Sequence, residues 1–187
     1  MPGWDSAVEI WTDASVRPSY PRAGIAAVFN GALPHVPGAA LPFHLRREPM
    51  LLHGGSLEGE GRAAFSGLCR NLGDVSSAEM SALLAGAALT ADLSRPLRFM
   101  TDSLDAVRVL EAVLAGRPLG QEIRYLEPLG QHLVTLLGNT PWQVCKVRAH
   151  SNTLMNDMAD EIAGSRLRED ARLQDHGRHP APARHTV

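Results

Sequence analysis

Short runs rich in apolar residues are separated along the chain by stretches in which apolar residues recur with helical spacing. The short runs predict strands, and the helical spacing predicts helices. The predicted strands are residues 7–13, 23–29, 62–68, 97–102 and 142–149. The predicted helices are residues 78–92, 104–115, 121–137 and 154–168, the third interrupted at Pro128 and Gly130.

The order of these elements predicts a single mixed sheet. The link at residues 15–22 is short enough for a hairpin, and the three strands before the first helix are expected to be mutually antiparallel. Each later strand is reached through a helix and is expected to be parallel to its neighbour. The fold class is therefore α/β, a mixed five-stranded sheet flanked by helices, with three antiparallel strands and then two parallel ones.

Three segments need separate interpretation. Residues 31–61 are rich in Gly and Pro, and they predict a long insertion or extended hairpin with possible extended pieces at 41–46 and 50–53. Ser76 is the predicted N-cap of the first helix. The tail from Ala171 carries nothing apolar enough to anchor it, so we expect one domain at 1–170 and a disordered tail at 171–187.

Composition places few restrictions on function. The chain has 187 residues and a formal net charge of −2, so no global positive field indicates nucleic-acid binding. Two cysteines without CxxC spacing predict free thiols rather than a zinc site or a disulfide framework. Neither a signal pattern nor a membrane-length apolar run occurs in the sequence, and a cytoplasmic location is expected.

Four acidic residues stand where a domain usually places neutral side chains. Asp13 and Asp102 end the first and fourth predicted strands, Glu79 opens the first helical stretch, and Asp160 lies inside the last one. If these elements pack on one sheet, the carboxylates converge. Such a cluster repels itself unless divalent cations neutralise it, which favours metal-dependent phosphoryl chemistry.

Each carboxylate also has an ordinary explanation when it is taken alone. Glu79 in a first helical turn would stabilise the helix dipole, and Asp102 before a helix would cap it. Asp160 could pair with Arg166 on the surface, and the triplet that begins with Asp13 could form a turn. The occurrence of all four in this order and in these elements favours the functional interpretation.

Four motifs resemble those of type 1 ribonuclease H. They are Thr-Asp-Ala-Ser at 12–15, Ala-Glu-Met at 78–80, Thr-Asp-Ser at 101–103, and a His150…Asn156…Asp160…Ala163 pattern, all in the order of that family. Asp157 and Asp160 compete for the last acidic position, and the family spacing from His150 and Asn156 selects Asp160. The resemblance covers about residues 7–168.

This resemblance implies hydrolysis of the RNA strand of RNA–DNA hybrids, leaving 5′-phosphate and 3′-hydroxyl ends. Two Mg²⁺ ions, or Mn²⁺, would be held by Asp13, Glu79, Asp102 and Asp160.

The resemblance also implies roles for residues near the substrate. His150 would lie in a loop and assist proton transfer or product release; the other interpretation is a polar residue that closes a strand. The implied substrate-contact residues are Ser15, Ser76, Ser77, Ser103, Arg148 and Asn156. Asn156 could instead be an ordinary residue of a helix N-terminus.

The implied partner is the hybrid itself, with no membrane and no obligate protein partner evident. Reading 2′-hydroxyls in a wide minor groove requires no base identity, so little sequence specificity is expected. Two alternatives stay open: a non-catalytic nucleic-acid-binding module of the same fold, and a related carboxylate-metal nuclease such as a 3′–5′ exonuclease. The spacing and the His150 motif fit the exonuclease less well.

Overall fold

Six strands form one mixed sheet in the computed structural model, which describes residues 4–30, 55–58, 63–148 and 154–177. The strands are β1 (Val8–Ser15), β2 (Arg22–Phe29), β3 (Gly55–Glu58), β4 (Ala64–Arg70), β5 (Leu97–Thr101) and β6 (Trp142–Lys146). The helices are α1 (Val75–Thr90), α2 (Leu104–Leu114), α3 (Glu127–Leu137) and α4 (Leu154–Gly177). Short 3₁₀ turns lie at Trp4–Ser6 and Arg124–Leu126.

The strand order is β3-β4-β2-β1-β5-β6. Antiparallel pairing joins β3, β4, β2 and β1, whereas β1–β5 and β5–β6 are parallel. The predicted fold class is thereby confirmed: all five predicted strands belong to a mixed sheet flanked by helices. β3 is a sixth strand, which lies inside the predicted insertion and pairs with β4. The extended pieces expected at 41–46 and 50–53 lie outside the described residues.

The sheet separates two apolar layers. On one face, α1, α2 and α3 cover the larger core, to which Ile10 and Phe99 belong. On the other face, α4 packs against a smaller layer that includes Trp11 and Ala163. Ile10 and Trp11 are adjacent in β1 and enter different layers, because successive side chains of a strand point to opposite faces.

The N-terminus of α1 corrects the sequence prediction. The helix begins at Val75, and its N-cap is Asp74 rather than Ser76. Asp74 accepts hydrogen bonds from the backbone N–H of Ser77 at 2.7 Å and from its hydroxyl at 2.8 Å. Aspartate is at least as good an N-cap as serine, and here it also receives the Ser77 hydroxyl. Glu79 consequently lies in the second turn, not the first.

Other boundaries differ for identifiable reasons. Pro128 stands in the first turn of α3, where proline needs no N–H partner, so it begins this helix instead of interrupting it. β4 runs two residues beyond the predicted strand end because its ladder with β2 continues to Arg70. β6 ends at Lys146, and the remainder of the predicted strand reaches Ala149, which lies outside the described residues.

The last helix is longer than predicted. α4 continues to Gly177 rather than ending at 168, so residues 171–177 are helical and the expectation of a disordered tail is wrong for them. Asp170 is buried and accepts hydrogen bonds from the Tyr20 hydroxyl and from Arg22 Nη1, both at 2.7 Å. These contacts join the helix end to the β1–β2 connection. Residues 178–187 lie outside the described part.

The cysteines behave as predicted. Cys69 and Cys145 are free thiols, and Cys69 is buried in the larger core. Burial raises the pKa of Cys69 to about 11, so this thiol stays protonated at neutral pH. Among the described residues, no helix is long and apolar enough to cross a membrane.

Gly24 lets β2 and α4 approach closely. A Cβ added at this position would overlap the carbonyl oxygen of Ala163, which is backbone and cannot move aside. We expect Gly24→Ala to destabilise the protein by about 1–3 kcal/mol through overpacking, which lowers the Tm by roughly 2–4 °C per kcal/mol in a domain of this size. Thermal unfolding measures the change.

Gly164→Ala is the matched control for Gly24→Ala. It lies in α4, and a Cβ there meets the end of the flexible Arg168 side chain. Helix propensity favours alanine over glycine by up to about 1 kcal/mol. We expect Gly164→Ala to leave the Tm unchanged or raise it. Equal Tm values for both variants would contradict the proposed close packing at Gly24.

Candidate metal centre

Three of the acidic residues selected from the sequence meet in space. One carboxylate oxygen from each of Asp13, Glu79 and Asp102 lies within 4.8 Å of the other two. β1 and β5 are parallel neighbours in a register that pairs Trp11 with Met100. Asp13 and Asp102 each follow two residues later, so the two chains deliver them to the same end of the sheet.

Glu79 reaches this cluster from α1 and is 4% exposed. Burial raises its pKa well above the usual value, and the negative charges of Asp13 and Asp102 add to the rise. Its Oε2 atom is buried and has no hydrogen-bond partner among the described residues. A buried carboxylate oxygen without a partner is costly unless something binds it.

Asp13 is also perturbed. Burial raises its pKa to about 6, although a 2.7 Å hydrogen bond from the backbone N–H of Ala14 acts in the opposite direction. The charges of Asp102 and Asp160 contribute further to the increase. Neighbouring carboxylates that raise one another's pKa values favour either a bound proton or a bound cation.

The donor set fits a hard divalent cation. All three side chains offer carboxylate oxygens, the ligands that Mg²⁺ prefers, and the set contains neither histidine nor thiolate. Because Oε2 of Glu79 has no hydrogen-bond partner among the described residues, this oxygen can bind a cation. The residues at this site therefore suit Mg²⁺ or Mn²⁺ better than zinc.

Asp160 holds a different position from the other three. It lies on α4, it is exposed, and its charge is among those that raise the pKa of Asp13. It is not one of the three residues whose oxygens approach within 4.8 Å. The structure thus brings Asp160 near Asp13 without placing it in the tight cluster.

The ordinary explanations of the four carboxylates fit the structure poorly. α2 is capped by Ser103, whose hydroxyl accepts from the Ala106 N–H at 3.3 Å, so Asp102 is not the cap. Arg166 pairs with Glu169 at 2.8 Å rather than with Asp160. Asp13 belongs to a regular strand rather than a turn, and Glu79 lies beyond the first turn of α1.

The predicted substrate-contact residues occupy several different settings. Ser15 ends β1, Ser103 caps α2, and Asn156 is buried in the first turn of α4. Arg148 is exposed just beyond β6. His150 lies outside the described residues.

Ser76 and Ser77 use their hydroxyl protons within the protein. Ser76 Oγ donates to Asp105 at 2.9 Å, and Ser77 Oγ donates to Asp74. Each hydroxyl keeps lone pairs that can accept a further hydrogen bond. Any contact that these serines make with a ligand hydroxyl would therefore use them as acceptors.

Lys146 is a basic residue beside the site that the sequence prediction did not include. Its Nζ atom donates to the backbone carbonyl of Asp102 at 3.0 Å and to that of Val147 at 3.2 Å. Lys146 ends β6, and β6 pairs with β5, which leads into Asp102. A basic residue within the last predicted strand is the sequence signal that could have identified it.

The sheet order, the helix arrangement and the position of the acidic cluster together define a ribonuclease H-like fold. Fifteen chains of solved structures match this protein in fold. One of them is LC9-RNase H1, described as a type 1 RNase H with the type 2 active-site motif. The two chains share 15% sequence identity with a TM-score of 0.54, over 86% of this chain and 71% of the other.

Comparisons at the sequence level give no match. No protein-family model matches the chain, and no curated protein is significantly similar to it. The likeness to the solved structure therefore establishes the fold, and the function depends on the chemistry of the site.

Metal-free stability should fall as pH rises. The folded pKa of Asp13 is about 6, against 3.8 for an unperturbed aspartate, and that of Glu79 is also raised. The folded protein therefore retains protons that the unfolded chain releases, and it loses stability between about pH 4 and pH 6 as Asp13 ionises. Unfolding in EDTA across this range measures the loss.

Asp13→Asn should remove the Asp13 contribution to this decline, because asparagine has no ionisable group. The difference in Tm between the variant and the original protein should therefore widen from acid to neutral pH. Parallel profiles for the two proteins would contradict the raised pKa of Asp13.

Proposed function

We propose that this protein is a metal-dependent endonuclease that hydrolyses the RNA strand of RNA–DNA hybrids with little sequence specificity. The observation that carries the proposal is the set of three carboxylates within 4.8 Å on a ribonuclease H-like fold. Retaining mutually repelling groups in a partly buried position is unfavourable for stability. A function that needs a cation between them explains why they are there.

Asp13, Glu79 and Asp102 would hold the ion or ions, and Asp160 would join them from α4. Two Mg²⁺ ions, with Mn²⁺ as a substitute, are the proposed cofactors. When bound, such ions lower the pKa of an attacking water and stabilise the leaving 3′ oxygen. The products would carry 5′-phosphate and 3′-hydroxyl ends.

The remaining residues would position the substrate. Arg148 is exposed beyond β6 and can contact a phosphate, and Lys146 lies beside Asp102. Ser15, Ser76 and Ser103 offer hydroxyl oxygens that can accept from a 2′-hydroxyl, whereas Ser77 is buried and bonds to Asp74. His150 would transfer a proton or help the product leave, since its ordinary pKa lies near neutrality.

The proposal receives two further kinds of support. The similar solved structure is described as a type 1 RNase H. The four sequence motifs follow one another in the order of that family. We also propose a cytoplasmic location, and we propose that the hybrid is bound without an obligate protein partner.

A substrate panel tests the proposal. Matched RNA–DNA hybrid, duplex RNA and duplex DNA of one sequence are incubated with the protein and Mg²⁺ or Mn²⁺. We expect internal cleavage of the RNA strand of the hybrid, with 5′-phosphate ends, and no cleavage in EDTA. Binding without cleavage would favour the non-catalytic module, and shortening of DNA from its 3′ ends would favour the exonuclease.

A further inference from the structure

The position of Glu79 depends on the translation of α1 along its helix axis relative to the sheet. A helix rises 1.5 Å and turns 100° per residue, so a shift of one residue would take this side chain away from Asp13 and Asp102. Metal sites tolerate errors in ligand distance of only about 0.2 Å. Something must therefore fix the axial position of α1 closely if Glu79 is a ligand.

Apolar packing fixes part of the axial position of α1. Met80, Leu83 and Leu84 are fully buried in the larger core, and Gly86 lies close against Ile10 of β1. Hydrophobic burial has no directional preference, whereas a hydrogen bond requires a particular distance and angle. Directional contacts near Glu79 can therefore refine the position that the apolar packing sets.

Two side-chain hydrogen bonds join the N-terminus of α1 to other elements. Ser76 Oγ donates to Asp105 Oδ2 in the first turn of α2 at 2.9 Å. Tyr125 Oη, from the 3₁₀ turn before α3, donates to Asp74 Oδ1 at 2.9 Å. The same Asp74 atom accepts the capping N–H of Ser77, so Tyr125 holds the cap itself.

Both partners of the Ser76–Asp105 bond lie three residues in sequence from a carboxylate of the cluster. Ser76 precedes Glu79 by three residues in α1, and Asp105 follows Asp102 by three residues at the start of α2. Residues three apart in a helix lie on the same side, so Ser76 and Glu79 share a face of α1. The bond therefore links α1, which carries Glu79, to α2, which begins just after Asp102.

We propose that the Ser76–Asp105 hydrogen bond, assisted by Tyr125–Asp74, is a positioning contact that sets Glu79 against Asp102 for divalent-cation binding. This inference rests on the proposed function, because it takes the carboxylates to be metal ligands. It gives Ser76 a role within the protein, in addition to any contact with substrate. Groups hydrogen-bonded directly to metal ligands change metal affinity by about 10- to 100-fold, and this contact, which acts through the helices, should have a smaller effect.

The first test is the Mn²⁺ affinity of the full chain, measured from the electron paramagnetic resonance signal of free Mn²⁺. Ser76→Ala removes the donor, and we expect the dissociation constant to rise several-fold, by less than the roughly 10-fold that follows the loss of a direct partner of a ligand. Ser76→Thr restores a hydroxyl at the same atom position and should return the dissociation constant to within about twofold of the original. Tyr125→Phe, which removes the hydroxyl that donates to Asp74, should also weaken Mn²⁺ binding.

Ser165→Ala is the matched control. It removes a hydroxyl that accepts from Arg168 at 2.8 Å on the exposed side of α4, and Mn²⁺ affinity should not change. The metal-free Tm of Ser76→Ala should fall by only a few degrees, which corresponds to the loss of one hydrogen bond. A loss of affinity without a matching loss of Tm separates positioning from general stability.

The outcomes distinguish this inference from the proposal on which it rests. If the original protein binds Mn²⁺ and both Ser76→Ala and Tyr125→Phe bind it equally tightly, the positioning role is overturned and the metal site stands. If the original protein binds no Mn²⁺, the proposed metal site is itself wrong, and the positioning role is overturned with it.

Discussion

Asp13→Asn is expected to abolish metal-dependent cleavage of the hybrid, lowering kcat/KM by more than about 100-fold. Asparagine keeps the shape of the side chain, and its oxygen can still accept from the Ala14 N–H. The change removes one negative charge from the centre of a three-carboxylate cluster. Steady-state cleavage of a labelled RNA strand at fixed Mg²⁺ measures the loss.

Asp92→Asn provides the control for charge alone. Asp92 is exposed just after the end of α1, and the same substitution there should leave kcat/KM unchanged. Cleavage by Asp13→Asn at a rate close to that of the original protein would contradict the assignment of Asp13 as a ligand. It would also remove the main physical reason for placing an ion at this site.

Glu79→Gln is expected to change stability in opposite directions with and without metal. In EDTA the Tm should rise, because a buried carboxylate next to two others is replaced by a neutral group of the same shape. The glutamine amide can also donate to Asp13. The increase in Tm should be largest at alkaline pH, because Glu79 of the original protein is then ionised while buried, which destabilises the folded state.

With Mg²⁺ the order should reverse. A ligand present at 100 times its dissociation constant stabilises the protein that binds it by about 2.7 kcal/mol, and a domain of this size gains roughly 2–4 °C per kcal/mol. The original protein should gain this stabilisation, whereas Glu79→Gln should lose most of it. Equal Mg²⁺-induced shifts in both proteins would show that the ion binds elsewhere.

The sequence was informative about the sheet because the relevant signals are local. Strand periodicity and the helix before each later strand were enough to predict parallel pairing for the later strands, and the family resemblance added that β1 and β5 lie side by side. That adjacency, together with the position of Asp13 and Asp102 at the strand ends, predicted their approach. Glu79 followed from the helix that packs on the same strands.

Other features depend on contacts between distant parts of the chain. Asp170 is buried because Arg22 and Tyr20 bind it, and these partners lie about 150 residues away in sequence. The helical periodicity near residue 168 depends only on local sequence and does not reveal that ion pair, so the length of α4 could not be predicted. β3 is also set by its partner, since its four residues are defined by pairing with β4.

The acidic cluster shows the same division between local and tertiary information. Residue types and spacing selected Asp160 together with the other three, yet its exposed place on α4 outside the 4.8 Å set depends on how that helix lies on the sheet. The cap at Asp74 and the bond between Ser76 and Asp105 likewise require the packed arrangement of α1 and α2. A motif names the ligands, whereas the packing determines the distances between them.

Anomalous diffraction from crystals of the protein grown with saturating Mn²⁺ locates the bound ion. We expect a strong Mn²⁺ peak within coordination distance of the carboxylate oxygens of Asp13, Glu79 and Asp102. Crystals in which those three side chains stay together without a Mn²⁺ peak between them would contradict the proposed metal site.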